Sequence, residues 1–136
     1  MTAWLLKTEP GDYSFDDLVR EGVAAWDGVT SPAALGHLRR AGEGDPRVVY
    51  HSGDERRVVG LATVARAAYA DPRQADPRLV VVDVRAGERL ARPVTLGQLK
   101  ADPRFADSPL VRQGRLSVVP LTDAQYAAIL ELARPG

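Results

Sequence analysis

Cysteine is absent from the 136 residues. Disulfides, thiolate metal sites and a cysteine nucleophile are all excluded by that one absence. Asparagine is absent as well, and the cations are almost all arginine, sixteen against two lysines. The chain also lacks a charge bias: 18 basic and 18 acidic side chains leave a formal net charge of zero. A protein that held nucleic acid mainly by neutralising phosphates would carry a basic excess. No apolar run approaches the roughly 18 residues that a membrane-spanning helix needs, so no membrane partner is expected. The first residues, Met-Thr-Ala-Trp-Leu-Leu-Lys-Thr-Glu, have no basic n-region and carry acid where a signal peptide would not. The expected location is therefore the cytoplasm.

What is present is ordinary globular composition, 45% hydrophobic and 26% charged, which excludes disorder and collagen-like structure. The length fits one domain, residues 1–136. Charge is unevenly spread: residues 1–35 carry 2 basic and 6 acidic side chains, and the remainder carries the compensating excess of arginine.

Residues 3–8 read as a buried first strand stopped by Pro10-Gly11. Ser14 and Asp17 form a capping-box variant for a short helix ending at Gly22. Ser31-Pro32 places an N-cap before a proline at the first helical position, and that helix runs to about Arg40. Strands are predicted over 46–52, 57–69, 79–84 and 116–119. Thr95 starts another short helix, Pro103 and Pro109 punctuate a loop, and Thr122 caps a C-terminal helix with Tyr126, Ile129, Leu130 and Ala133 on its apolar face. Five or six strands and four short helices without βαβ alternation predict an α+β, mainly β, fold. A small sheet of that kind most easily buries its shared face by curling into a barrel.

Little here suits catalysis. His51 precedes Ser52, but strand neighbours point to opposite faces and cannot pair as base and nucleophile. His37 and His51 have no short-range ligand spacing with carboxylates, so no metal and no cofactor is expected. Asp16 and Asp17 fall in a helical first turn, where the macrodipole accounts for them. Recognition is better served. Trp4 leads into Lys7-Thr8-Glu9, and Trp26 precedes Asp27-Gly28. Each tryptophan reads structurally as a core anchor. Functionally, an aromatic face beside fixed donors and acceptors is what a flat heteroaromatic ligand needs. Tyr50-His51-Ser52 ends a strand before a turn, either a satisfied strand end or a pocket rim. Arg112, Gln113 and Arg115 enter a strand together; they suit a base edge or phosphate, or else salt bridges to Asp102 and Asp107.

These segments, in this order, resemble the EVE domain of the thymocyte nuclear protein family, a branch of the PUA-like superfamily. The resemblance is carried by WLLKTEPGDYSFDDL at 4–18, WDGV at 26–29, YHSG at 50–53, VVGLATV at 58–64 and AYADP at 68–72. VDV at 82–84, PVTLGQLK at 93–100 and LVRQGRLSVVPL at 110–121 continue it across nearly the whole chain. It implies a PUA-like pseudobarrel with peripheral helices, and a non-catalytic reader of DNA or RNA that takes a modified base, such as a modified cytosine, into an aromatic-lined pocket. The implied pocket residues are Trp4, Lys7, Thr8, Glu9, Trp26, Thr30, Ser31, Tyr50, His51 and Ser52, with Arg112, Gln113 and Arg115 at phosphate or base edge. After WDGV the family usually continues with Arg-Asn and later a second Arg-Asn pair; Thr30-Ser31 and Leu35-Gly36 stand there instead. Two other functions compete with the reader. One is a hydrolase on the same barrel, using Lys7, Glu9 or His51 on a small amide or modified nucleoside. The other is a small-molecule or protein-interaction domain that has abandoned nucleic acid.

Overall fold

The computed structural model describes residues 3–135. In chain order the elements are β1 (Ala3–Thr8), α1 (Phe15–Glu21), β2 (Val23–Trp26), α2 (Pro32–Arg39), β3 (Pro46–His51), β4 (Arg57–Ala70), β5 (Val80–Thr95), α3 (Leu96–Ala101), a 3₁₀ turn (Pro103–Phe105), α4 (Pro109–Arg112), β6 (Val118–Leu121) and α5 (Asp123–Leu132). The strands form one mixed sheet in the order β2-β5-β4-β3-β1-β6, with β1 and β3 parallel and the other neighbours antiparallel. The class is α+β, as the strand count and the absence of βαβ units require.

Three capping boxes are legible in the sequence, and each forms. Ser14 Oγ accepts from the Asp17 amide at 3.1 Å while Asp17 Oδ2 accepts from the Ser14 amide at 2.9 Å. Thr95 with Gln98 and Thr122 with Gln125 repeat the arrangement. Gly22 ends α1 at φ +79°, a conformation that a side chain would disfavour. The chain therefore turns at once into β2, four residues that carry no strand signal in the sequence.

The long strands curl because their pairing is interrupted. The β4–β5 ladder shifts register at four places and β3–β4 at one. Each bulge adds local twist and bends the strand that carries it. Gly87 sits where a Cβ would meet Leu61 O at 2.9 Å, so the strands approach there only without a side chain. This corrects the predicted strand 79–84, which runs on through Thr95. Pro93, which looks like a terminator, falls in the register irregularity between Gly60↔Arg89 and Val58↔Val94. The predicted strand 116–119 is instead Val118–Leu121. The proline-punctuated loop contains the 3₁₀ turn and α4, each with proline next to a capping Asp102 or Ser108. The core packs Leu5, Leu6, Phe15, Leu18, Val48, Val49, Leu99, Phe105 and Ile129 at zero exposure.

Candidate nucleic-acid interface

The curl brings the end of β1 alongside β2, although four positions separate them in the sheet order. Between them opens a cleft of about 730 Å³, bounded by Lys7 and Thr8 of β1, Asp12 and Tyr13 of the following turn, Val23–Trp26, and Glu21, Asp27 and Arg73. Its place follows from the fold: α1 is so short that β2 starts beside the strand that preceded it. Tyr13 and Trp26 meet edge to face, ring centroids 6.1 Å apart at 86°. That is a favoured aromatic geometry, and it fixes both rings against each other.

The polar groups of the cleft are held in place. Tyr13 Oη donates to Glu21. Burial, then that bond, then the charges of Glu21, Asp17 and Asp27, raise the phenol far above its ordinary value, so it stays a donor. Arg73 spans Asp27 Oδ2 at 2.6 Å and Asp71 Oδ1 at 3.2 Å, pinning the loop after β4 to the end of β2. Thr8 Oγ1 donates to Tyr13 O at 2.6 Å, which leaves its lone pairs as acceptors. Lys7 Nζ donates to Gly114 O at 2.9 Å, and burial lowers its pKa. Three carboxylates thus face two cations, and Ala24 and Ala25 form a small apolar floor.

Of the residues implied by the sequence, Lys7, Thr8 and Trp26 meet in this cleft. Trp4 is placed elsewhere. It is 3% exposed, its ring tilted against His37 at 4.8 Å and beneath the Arg47 guanidinium at 5.6 Å. The reason is position: Ala3–Leu6, the first four residues of β1, are buried on both faces, and only its end, Lys7 and Thr8, reaches the cleft. His51 is likewise structural. Its Nε2 accepts from the Phe15 amide at 3.0 Å, which requires the proton on Nδ1, and Nδ1 lies 2.9 Å from Glu55 Oε1. Glu9 stays exposed, accepting from the Gly11 amide at 3.1 Å with its carboxylate lying over Gly53.

Tyr50 and Ser52 line a smaller hollow that shares Lys7 with the cleft. Ser31 serves as N-cap of α2 and, with Gln113 and Arg115, borders a third, shallow depression; Thr30 borders a fourth. Arg112 is the last residue of α4 rather than a strand entrance, and it bonds Ala106 O and Asp107, the salt bridge its neighbourhood offered. Asp102 pairs with Arg104 instead. Sequence reasoning misses Asp12, Tyr13, Glu21 and Arg73. Tyr13 and Glu21 lie eight apart across a helix whose ends are legible, so a turn-by-turn count could have paired them. Arg73, 46 residues from Asp27, has no local signal. Among the described residues no group of three or more His, Asp or Glu is placed to hold a metal ion.

A family model described as EVE domain matches residues 2–132. Among solved structures, Rpa0253 from Rhodopseudomonas palustris is 38% identical, with a TM-score of 0.91 over 98% of this chain and 93% of that one. Atu2648 from Agrobacterium tumefaciens is 31% identical, with a TM-score of 0.94 over the same shares. Human THYN1, solved in complex with DNA containing 5-methylcytosine, is 25% identical, with a TM-score of 0.91 over 100% of this chain and 99% of that one. No curated protein sequence matches the chain.

Proposed function

The chain belongs to the EVE domain family, and from that membership and the make-up of its cleft we propose that it is a non-catalytic reader that takes one modified cytosine of DNA between β1 and β2. The observation that carries this reading is the combination of a fixed aromatic wall with fixed acceptors in one cleft. Tyr13 supplies the aromatic wall against which a flat base is held, braced by Trp26, which borders the cleft but is only 6% exposed. Cytosine presents its exocyclic amine as a donor, and carboxylates are the side chains that accept from it. Glu21 and Asp27 are held as such acceptors by Tyr13 and Arg73. Ala24 and Ala25 offer alkyl surface for a 5-methyl group.

The acidic balance of the cleft favours a neutral base there and turns phosphate away. Stacking of one base contributes about 1–3 kcal/mol, whereas extruding a paired base costs a few kcal/mol. Affinity for plain duplex is therefore weak, and single strands or weakened pairs bind better. The test uses a Trp4→Phe variant, in which Trp26 is the sole tryptophan and reports on the cleft. Short single- and double-stranded DNA and RNA carrying cytosine, 5-methylcytosine or 5-hydroxymethylcytosine are titrated at low salt. Quenching that depends on the modification is expected, strongest for DNA. Equal response to modified and plain cytosine overturns the reading.

A further inference from the structure

The hollow beside the cleft has the opposite electrostatic character. It measures about 210 Å³ and is bounded by Lys7, Arg56 and Lys100, with Tyr50 and Ser52, over a floor of Leu96, Leu110 and Val111. Both lysines of the chain are there, and no carboxylate lines it. The Arg56 guanidinium and the Lys100 ammonium have no ion-pair or hydrogen-bond partner among the described residues. Elsewhere among the described residues, ten ion pairs tie Arg or His side chains to acids. Arg56 and Lys100, left without a counter-charge beside Lys7, which also borders the acidic cleft, repel one another unless an anion joins them.

Other details point the same way. Arg56 adopts φ +47°, the one non-glycine residue with positive φ among those described, in the turn that carries it to the rim. Burial raises the pKa of the Tyr50 phenol, and the nearby Arg56 charge opposes that shift. Lys7 spends one of its three donors on Gly114 O and keeps two. The hydroxyls of Tyr50 and Ser52 are without side-chain partners among the described residues.

We propose that this hollow is an oxyanion site for a single phosphate group, coupled to the cleft through Lys7, so that the phosphate flanking a bound base rests among Lys7, Arg56 and Lys100. The ligand is then a base with its own phosphate rather than a free base. This rests on the reader function for the source of the phosphate, but the site itself does not.

The test has two arms on the whole chain. In the first, inorganic phosphate is titrated while backbone amide signals are followed by NMR. Saturable shifts are expected at Ser52, Gly53 and Gly114, and their loss in the Arg56→Gly, Lys100→Gln double variant. Glycine suits the positive φ at position 56, and residue 100 is exposed, so the variant keeps its fold. In the second arm, a 5-methylcytosine oligonucleotide is compared with one whose flanking phosphate is a methylphosphonate. Wild type should lose about tenfold in affinity, the worth of one charge-assisted hydrogen bond, and the double variant should be indifferent to the change. The variant should also show a salt slope smaller by about one for each phosphate it no longer neutralises, with its preference for methylated over plain cytosine intact.

A double variant that binds phosphate and oligonucleotides as wild type does overturns the site. Phosphate shifts without any methylphosphonate effect overturn the coupling to the cleft. Intact phosphate binding with no preference for modified cytosine supports the site and overturns the reader function alone.

Discussion

His51 Nε2 accepts a hydrogen bond from the Phe15 backbone amide at 3.0 Å, joining the end of β3 to the first turn of α1 across 36 positions of sequence. A helix leaves its first amides without intrahelical partners. Here one of them is buried, and the imidazole is what satisfies it. His51, one of the three groups weighed as a hydrolase's acid–base residue, is thereby occupied on Nε2 by a backbone donor and on Nδ1 by Glu55. His51→Phe keeps the ring volume and removes the acceptor, and should cost about 1–3 kcal/mol in urea unfolding, the penalty of a buried unsatisfied donor. His51→Gln restores an acceptor and should recover part of that loss.

Phe15 is fixed from its other side by an absence. A Cβ at Gly60 would overlap the Phe15 ring, which is fully buried against β4. The ring cannot move aside without leaving the core, so Gly60→Ala should destabilise by roughly 1–3 kcal/mol, as overpacking does. A paired Gly60→Ala, Phe15→Leu variant should be less destabilised than the sum of the two single variants. Strict additivity in the double-mutant cycle would show that the two positions do not touch.

The aromatic pair implied for one pocket divides its labour. Trp4→Ala should remove roughly 3–5 kcal/mol of stability, the usual cost of emptying a large aromatic site, because the ring is enclosed by His37 and Arg47. Tyr13→Phe is expected to behave differently. It leaves the edge-to-face contact with Trp26 but frees Glu21, so it should leave the urea midpoint nearly unchanged and weaken binding of a modified-cytosine oligonucleotide. Unchanged affinity in that variant would remove Glu21 orientation from recognition.

How far all this is legible follows from which signals are local. Caps, turns and the first strand depend on a few neighbouring residues, and Ser14, Ser31, Thr95 and Thr122 all serve as the N-caps their sequence contexts predict. The second half of β5 is not legible, because Arg-Ala-Gly-Glu-Arg over 85–89 and Pro93 look like a loop. Only pairing with β4 makes them strand. The cleft divides in the same way. Lys7, Thr8 and Trp26 can be found because they stand in contiguous motifs. Arg73 escapes notice because its partner Asp27 lies 46 residues away and is brought near only by the fold, whereas the partner of Tyr13 lies just across α1. Alternation along β1 places Trp4 and Leu5 on opposite faces, but whether either face is open depends on covering elements far along the chain.

His37 gives the fold a dependence on acid that can be separated from that of its carboxylates. It packs against Trp4, and burial, then the nearby charge of Arg40, lower its pKa from the ordinary 6.5. The unfolded chain therefore binds a proton at a pH where the folded chain does not, so stability rises with pH in that window. The penalty is absent above about 6.5, grows as pH falls below it, and levels off once the folded-state value is passed. Asp76 and Asp102 are shifted down from 3.8 by hydrogen bonds from the Arg78 and Arg104 side chains and then from backbone amides, and Asp17 by the Ser14 amide and then by Arg20. Their contribution is complete above about 4 and is lost only in stronger acid. The urea midpoint should thus fall in two stages, and His37→Phe should flatten the upper stage while leaving the lower one in place. An upper stage of the same size in His37→Phe would show that some other group takes up the proton.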